Sequence, residues 1–242
     1  MISLSSKIAV VTGGNSGIGA AIVAALRERG ATVHVLDRQG EGRLVHHCDV
    51  TDQAAVVRTI DAIAAAEGLD ILVNNAGIGF VGKLEQTTEA DLDRLYAVNI
   101  KGVYNCAYAA LPHLKERGGV ILNMASVAAS VGISERFAYS MTKGAVLTMT
   151  YSIAKDYLEY GVRCNSISPA RVHTPFVDQY LEKNYPGREA EMFEKLAATQ
   201  PLGRMGRPEE IGSLAAYLCS DEASFITGTD YPIDGGFIRL NG

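Results

Sequence analysis

The sequence predicts an α/β fold, a mostly parallel, doubly wound sheet flanked by helices. Three observations carry the prediction. Short apolar runs alternate with longer stretches of helical periodicity, the pattern of successive βαβ units. The first apolar run passes directly into a glycine-rich loop and then a helix. The residues equipped for chemistry fall at the carboxyl ends of the runs, where parallel sheets bind their ligands.

The bulk numbers bound the possibilities. The 242 residues carry a net charge of -5, with 48% hydrophobic and 20% charged residues, an ordinary soluble composition. That length can bury a sizeable core, and 1–242 reads as a single domain. No broad basic surface is available for nucleic acid or an anionic membrane. Met1 to Ser6 is too short and polar for a signal peptide, and no apolar run reaches the ~20 residues of a membrane span. Cys48, Cys106, Cys164 and Cys219 are scattered without paired metal-ligand spacing. The expectation is no metal, reduced thiols and a cytoplasmic location.

The elements follow in order. Ile8 to Thr12 is apolar enough for a buried parallel strand. It leads into Thr12-Gly13-Gly14-Asn15-Ser16-Gly17-Ile18-Gly19, and a helix follows with Ile18, Ile22, Val23 and Leu26 on one stripe, ending near Gly30. Such glycines let a backbone approach a pyrophosphate seated on the helix N-terminus, so the unit reads as Rossmann-like. The second strand runs from Thr32 to Leu36 and is closed by Asp37, 24 positions after Gly13. A carboxylate there suits the ribose hydroxyls of the adenosine half and repels the extra phosphate of NADP, which makes NAD the expected cofactor. Few residues separate Asp37 from Asp49, so this βαβ unit is trimmed. Val45 to Val50 reads as a third strand and Asp70 to Val73 as a fourth, which runs into Asn74-Asn75-Ala76-Gly77. Thr51 and Asp52 start the helix between them. Leu92 to Tyr108 reads as a long helix with Asn99 inside it, an unfavourable place for asparagine that points to work for its side chain. Val120 to Asn123 is the fifth strand, with Ser126 just past its end.

The chemistry centres on Tyr139-Ser140-Met141-Thr142-Lys143. Tyrosine and lysine four apart lie on one helical face. A free phenol has a pKa of ~10, and a neighbouring ammonium lowers it. With the Ser126 hydroxyl to hold a carbonyl oxygen, these residues can exchange a proton with an alcohol while hydride leaves for a nicotinamide.

The chain resembles the short-chain dehydrogenase/reductase family along essentially its whole length. The family's cofactor loop stands at Thr12 to Gly19 and its Asn-Asn-Ala-Gly at 74 to 77, while Gly206-Arg207-Pro208-Glu209-Glu210-Ile211 and Asp234-Gly235-Gly236 match near the C-terminus. The resemblance implies that Tyr139 is the general acid/base and that Lys143 lowers its pKa and binds the nicotinamide ribose. Ser126 then hydrogen-bonds the substrate oxygen, and Asn99 holds a water in a proton relay. Gly13, Asn15, Ser16, Gly17, Ile18, Gly19, Asp37, Asn75, Ala76 and Gly77 would line the cofactor. Asp49 and Val50 would flank the adenine, and Val172 and Thr174 would contact the nicotinamide. The helices over Leu92 to Leu114 and Ala138 to Tyr157 resemble those packed between subunits in the family's tetramers, so a homotetramer or dimer is expected. Where the family has Pro-Gly after the sixth strand, this chain has Pro169-Ala170-Arg171.

Substrate identity is carried by variable loops. Arg136 stands three residues before Tyr139, and Arg171 lies in the departing loop. Arginine's planar fork suits a carboxylate. Arg136 is placed as in cytosolic 3-hydroxybutyrate and ketodeoxy-sugar-acid dehydrogenases of the family. The polar and aromatic stretch between Phe176 and Leu202 reads as a helical lid suited to a hydroxylated substrate. The expected substrate is thus a small hydroxy acid, first of all a 2-keto-3-deoxy sugar acid. The alternatives are an NADPH-dependent reductase of 3-oxoacyl thioesters, a neutral sugar dehydrogenase, and a non-catalytic dinucleotide sensor.

Overall fold

The computed structural model describes residues 2–240. Met1, Asn241 and Gly242, which the single-domain expectation also spans, lie outside the described residues. Seven strands form one sheet: β1 Ile8–Thr12, β2 Thr32–Asp37, β3 Val45–His47, β4 Ile71–Asn74, β5 Val120–Met124, β6 Arg163–Pro169 and β7 Asp230–Ile233. Their order is β3-β2-β1-β4-β5-β6-β7 and every pairing is parallel. The order reverses between β1 and β4, which opens a crevice at the carboxyl ends of those strands.

Both faces are covered, as the near-continuous apolar strands require. Ala9 and Val11 of β1 face one way, in a core with Ile22 and Leu26 of helix α1 (Gly17–Glu28) and Ile211 and Leu218 of the helix at Pro208–Cys219. Val10 faces the other way, with Ile60 and Ile63 of α2 (Gln53–Glu67) and with Leu114. Asp52 starts α2 by accepting the Ala55 amide at 3.0 Å, a typical N-cap.

Two elements differ from the sequence expectation. The third strand stops at His47 rather than Val50. The Asp49 carboxylate takes both the amide (2.9 Å) and the hydroxyl (2.8 Å) of Thr51, a turn that competes with continued pairing. The long helix around Asn99 has three parts: α3 (Glu89–Leu95), a π-helical turn over Tyr96–Lys101, and α4 (Gly102–Arg117). Asn99 lies within the π turn, and its side chain is bonded outside the helix.

Candidate active site

The glycine loop is held open from both sides. Asn75 Nδ2 donates to the carbonyls of Thr12 (3.0 Å) and Gly13 (2.9 Å), while Thr12 Oγ1 accepts the amides of Asn75 (3.0 Å) and Ala76 (2.9 Å). These bonds join the ends of β1 and β4 at the switch point. A side chain on Gly19 would collide with the Gly13 carbonyl oxygen, so only glycine permits this turn. Ser16 begins α1 without a side-chain cap, which leaves the first amides of the helix free. The Asn15 amide reaches Asp37 Oδ2 at 3.2 Å, and Gln39's amide reaches Oδ1 at 3.1 Å. The carboxylate thereby stands at the end of β2 beside the loop. Arg38 points away from it, 3.9 Å from Asp49. The carboxyl of Asp49 is held below its usual range: burial opposes this but is outweighed by the Thr51 amide and hydroxyl and by Arg38. Val50 is buried, and its carbonyl accepts Asn105 Nδ2 at 2.8 Å. Thr174 abuts Gly17, while Val172 is buried in a short parallel bridge to Gly206. A dinucleotide fits this cradle, with an uncapped helix start for its diphosphate and Asp37 for a ribose.

Tyr139, Lys143 and Ser126 lie one strand over. Helix α5 (Phe137–Asp156) carries Tyr139 and Lys143, and Ser126 caps the turn after β5. The β4 turn closes on them: a Cβ on Gly77 would lie 3.3 Å from Asn99 Oδ1 and 3.6 Å from Lys143 Nζ. Burial pushes the Tyr139 phenol up, opposed by the Ser126 hydroxyl and the Arg136 guanidinium. Burial also pulls Lys143 down to about 8. The Lys143 ammonium donates to the Met124 carbonyl at 2.7 Å and lies 5.8 Å from the centroid of the Tyr139 ring. Ser126 and Arg136 supply the opposing pull on Tyr139, while the Lys143 ammonium is bonded at the end of β5. Asn99 is fully engaged as a donor, with Nδ2 on Ile78 O (2.9 Å) and on Thr142 Oγ1 (3.1 Å), while Oδ1 accepts the Ile78 amide at 2.8 Å.

The mouth is lined by arginines and tyrosines. Arg136 donates to the Glu135 carbonyl at 3.1 Å and makes no carboxylate pair among the described residues. Glu135 stands in the left-handed region at φ 60°, a strained place for glutamate, and its carbonyl also accepts the Gly82 amide at 2.8 Å. Burial and the proximity of Arg136 both lower the pKa of Arg171. The phenol of Tyr180 is raised by burial and by Tyr185, while both guanidiniums pull it down. Two helices make up the predicted lid: α6 (Pro175–Asn184) and α7 (Glu189–Ala198), with Pro186-Gly187 between them. The remaining helices are α8 (Pro208–Cys219) and α9 (Phe237–Leu240).

Thr12 stands in the cofactor-loop motif and Tyr180 in the aromatic lid stretch of the sequence; the contacts of Thr142 and Glu135 have no local signal in it. A cavity of about 650 Å³ lies away from these residues, lined by residues such as Asp61, Tyr108, Lys115 and Tyr160. No cluster of three or more His, Cys, Asp and Glu side chains that could hold a metal occurs among the described residues. No helix there is long and apolar enough to cross a membrane.

The geometry has direct parallels. Residues 13–238 match the family described as enoyl-(acyl carrier protein) reductase, of the short-chain type. The chain belongs to the short-chain dehydrogenase/reductase family. It is 40% identical over 243 residues to L-fucose dehydrogenase of Bos taurus, covering 95% of this chain and 88% of that protein. It is 37% identical over 247 residues to 2-keto-3-deoxy-L-fuconate dehydrogenase of Xanthomonas campestris, covering 97% and 81%. The ligand-free aldohexose dehydrogenase of Thermoplasma acidophilum superposes with a TM-score of 0.94 at 36% identity, covering 100% of this chain and 98% of that one. ElxO, solved with NADP bound, superposes at 0.89 with 26% identity, covering 97% and 99%. As a short-chain dehydrogenase/reductase, this protein is an oxidoreductase that uses a nicotinamide dinucleotide.

Proposed function

We propose that this short-chain dehydrogenase is NAD-dependent and oxidises a secondary alcohol on a carboxylate-bearing hydroxy acid, such as a 2-keto-3-deoxy sugar acid. One observation carries the reading. Arg136, three residues before Tyr139, acts electrostatically on both the Tyr139 phenol and Arg171; both arginines are partly buried, and neither has a carboxylate partner among the described residues. Two like charges so placed call for an anion. The ketodeoxyfuconate dehydrogenase among the relatives agrees with a sugar acid.

In this reading, each residue takes a role that the geometry supports. Ser126 holds the substrate oxygen and Tyr139 takes its proton. The nicotinamide, when bound, supplies the hydride acceptor. Lys143, buried and holding its proton loosely, binds the nicotinamide ribose and passes protons onward. Asn99 holds the relay water through its main chain in the π-helical turn, since its side-chain N–H groups are already taken. Gly13 to Gly19 receive the diphosphate and Asp37 the adenosine ribose. Asn75, Ala76 and Gly77 lie against the nicotinamide half, as do Val172 and Thr174, with Asp49 and Val50 near the adenine. Helices α6 and α7 act as a lid over a single domain. Tyr104 and Tyr108 on α4 and Tyr151 on α5 are exposed, which supports a homotetramer or dimer built on those helices. A cytoplasmic enzyme is the setting that fits its four free cysteines.

A neutral sugar as substrate is the second reading, favoured by the names of the L-fucose and aldohexose dehydrogenases. Asp37 stands against an NADPH-dependent oxoacyl reductase. The test is turnover of sugar acids, short 3-hydroxy acids and neutral sugars with NAD and with NADP, in the wild type and in Arg136→Ala. The variant should raise KM for an acid at least about tenfold more than for a neutral alcohol. Equal effects on both would sink the carboxylate reading.

A further inference from the structure

Arg171 lies in the loop where Pro169-Ala170-Arg171 stands in place of the family's Pro-Gly, and the structure shows how its side chain is held. Its Nε–H donates to Thr199 Oγ1 at 3.1 Å. Thr199 directly follows α7 and spends its hydroxyl proton on the Leu196 carbonyl at 2.7 Å. The oxygen is thereby left facing forward as an acceptor, and it also takes Gln200 Nε2 at 2.8 Å. The backbone of Arg171 is gripped as well, since its carbonyl accepts the Gly206 amide at 2.8 Å. A guanidinium has five N–H donors. Here one is committed, and the four on Nη1 and Nη2 have no partner among the described residues. Fixing Nε fixes the plane of the group and presents the two terminal nitrogens as a free fork, the geometry a carboxylate accepts in bidentate fashion.

We propose that Thr199 is the positioning residue for Arg171, so that the docking of lid helix α7 sets how tightly the substrate carboxylate is held. The inference rests on the carboxylate reading above and adds to it a link between the lid and specificity. The acid is recognised by a guanidinium that is correctly aimed only while the end of α7 is seated.

Thr199→Val keeps the shape and removes the acceptor; Thr199→Ser restores it. The valine variant should raise KM for the acid about tenfold, with kcat within about twofold, as expected for one lost charge-assisted bond. The serine variant should return KM to the wild-type value. Valine added to Arg171→Ala should do no further harm. An acid KM unchanged in Thr199→Val while Arg171→Ala raises it, or additive effects in the double variant, would overturn the proposal. Exchange of the Arg171 Nε–H, followed by 15N NMR, is measured alongside. Faster exchange in Thr199→Val supports the positioning role, and equal exchange overturns it whatever the kinetics show. An Arg171→Ala variant with a wild-type KM for every acid would remove the carboxylate reading separately.

Discussion

Lys143 should cost the fold stability, and the cost can be measured. Its side chain is buried with the ammonium on one carbonyl, and burial brings its pKa from 10.5 to about 8. At about 1.4 kcal/mol per pH unit, that fall amounts to about 3 kcal/mol against the folded state wherever lysine is charged in both states. Lys143→Met removes the cost but leaves the Met124 carbonyl without its donor, a loss of about 1–3 kcal/mol. The variant should therefore be inactive yet more stable at pH 7 by about 1 kcal/mol, a rise in Tm of roughly 2–4 °C for a chain of this size. The sign then turns with pH. The folded pKa lies below the unfolded one, so the wild type gains stability as pH rises from about 8 to 10.5, and the variant does not. Urea denaturation of both proteins from pH 7 to pH 10.5 should show the variant's advantage shrinking by about 3 kcal/mol and reversing. A variant less stable at pH 7, or a difference flat across that range, would refute the reasoning.

Two further substitutions address the chemistry and the cofactor. Tyr139→Phe removes the proton-transferring hydroxyl and should lower kcat by roughly 10²–10⁴, while thermal stabilisation by NAD is retained. Equal loss of NAD binding would mean that the phenol is structural. Asp37→Ala removes the charge beside Asn15. It should move the ratio of kcat/KM for NADP over NAD upward by at least about tenfold, and an unmoved ratio would show that Asp37 does not select the cofactor.

Much of this architecture is written locally. β1, the glycine loop and α1 are contiguous, and each needs only its own apolar spacing and glycines. Ser126 and Asp37 could be placed because both end apolar runs. What the chain does not reveal locally depends on partners far along it. The π turn at Tyr96–Lys101 contains Asn99, whose side chain is bonded to Ile78 and Thr142. Helical periodicity alone cannot register such a turn. The end of β3 is decided by the Asp49 carboxylate turning to Thr51. Lys143 has the spacing to influence Tyr139, but the Met124 carbonyl claims its ammonium. The contact of Arg171 with Thr199 joins residues on two separate elements, and only the packing of α7 brings them together.

Arg136 has a double position with a kinetic consequence. Its guanidinium opposes the upward push of burial on the Tyr139 phenol, and it also stands beside Arg171 in the mouth. A substrate carboxylate bound there offsets part of that positive charge and brings a negative charge toward the phenol. Both effects disfavour the phenolate and raise the Tyr139 pKa in the complex. A neutral alcohol of the same shape does neither. Oxidation needs Tyr139 as the base, so the rising limb of kcat against pH should lie at higher pH for an acid than for its neutral analogue. The gap should narrow in Arg136→Ala, where no Arg136 cation is left to offset and only the direct effect of the carboxylate's own charge on the phenol remains. Superimposable limbs for acid and neutral substrates in the wild type would mean that the carboxylate binds away from Arg136, leaving Arg171 as its only partner in the mouth.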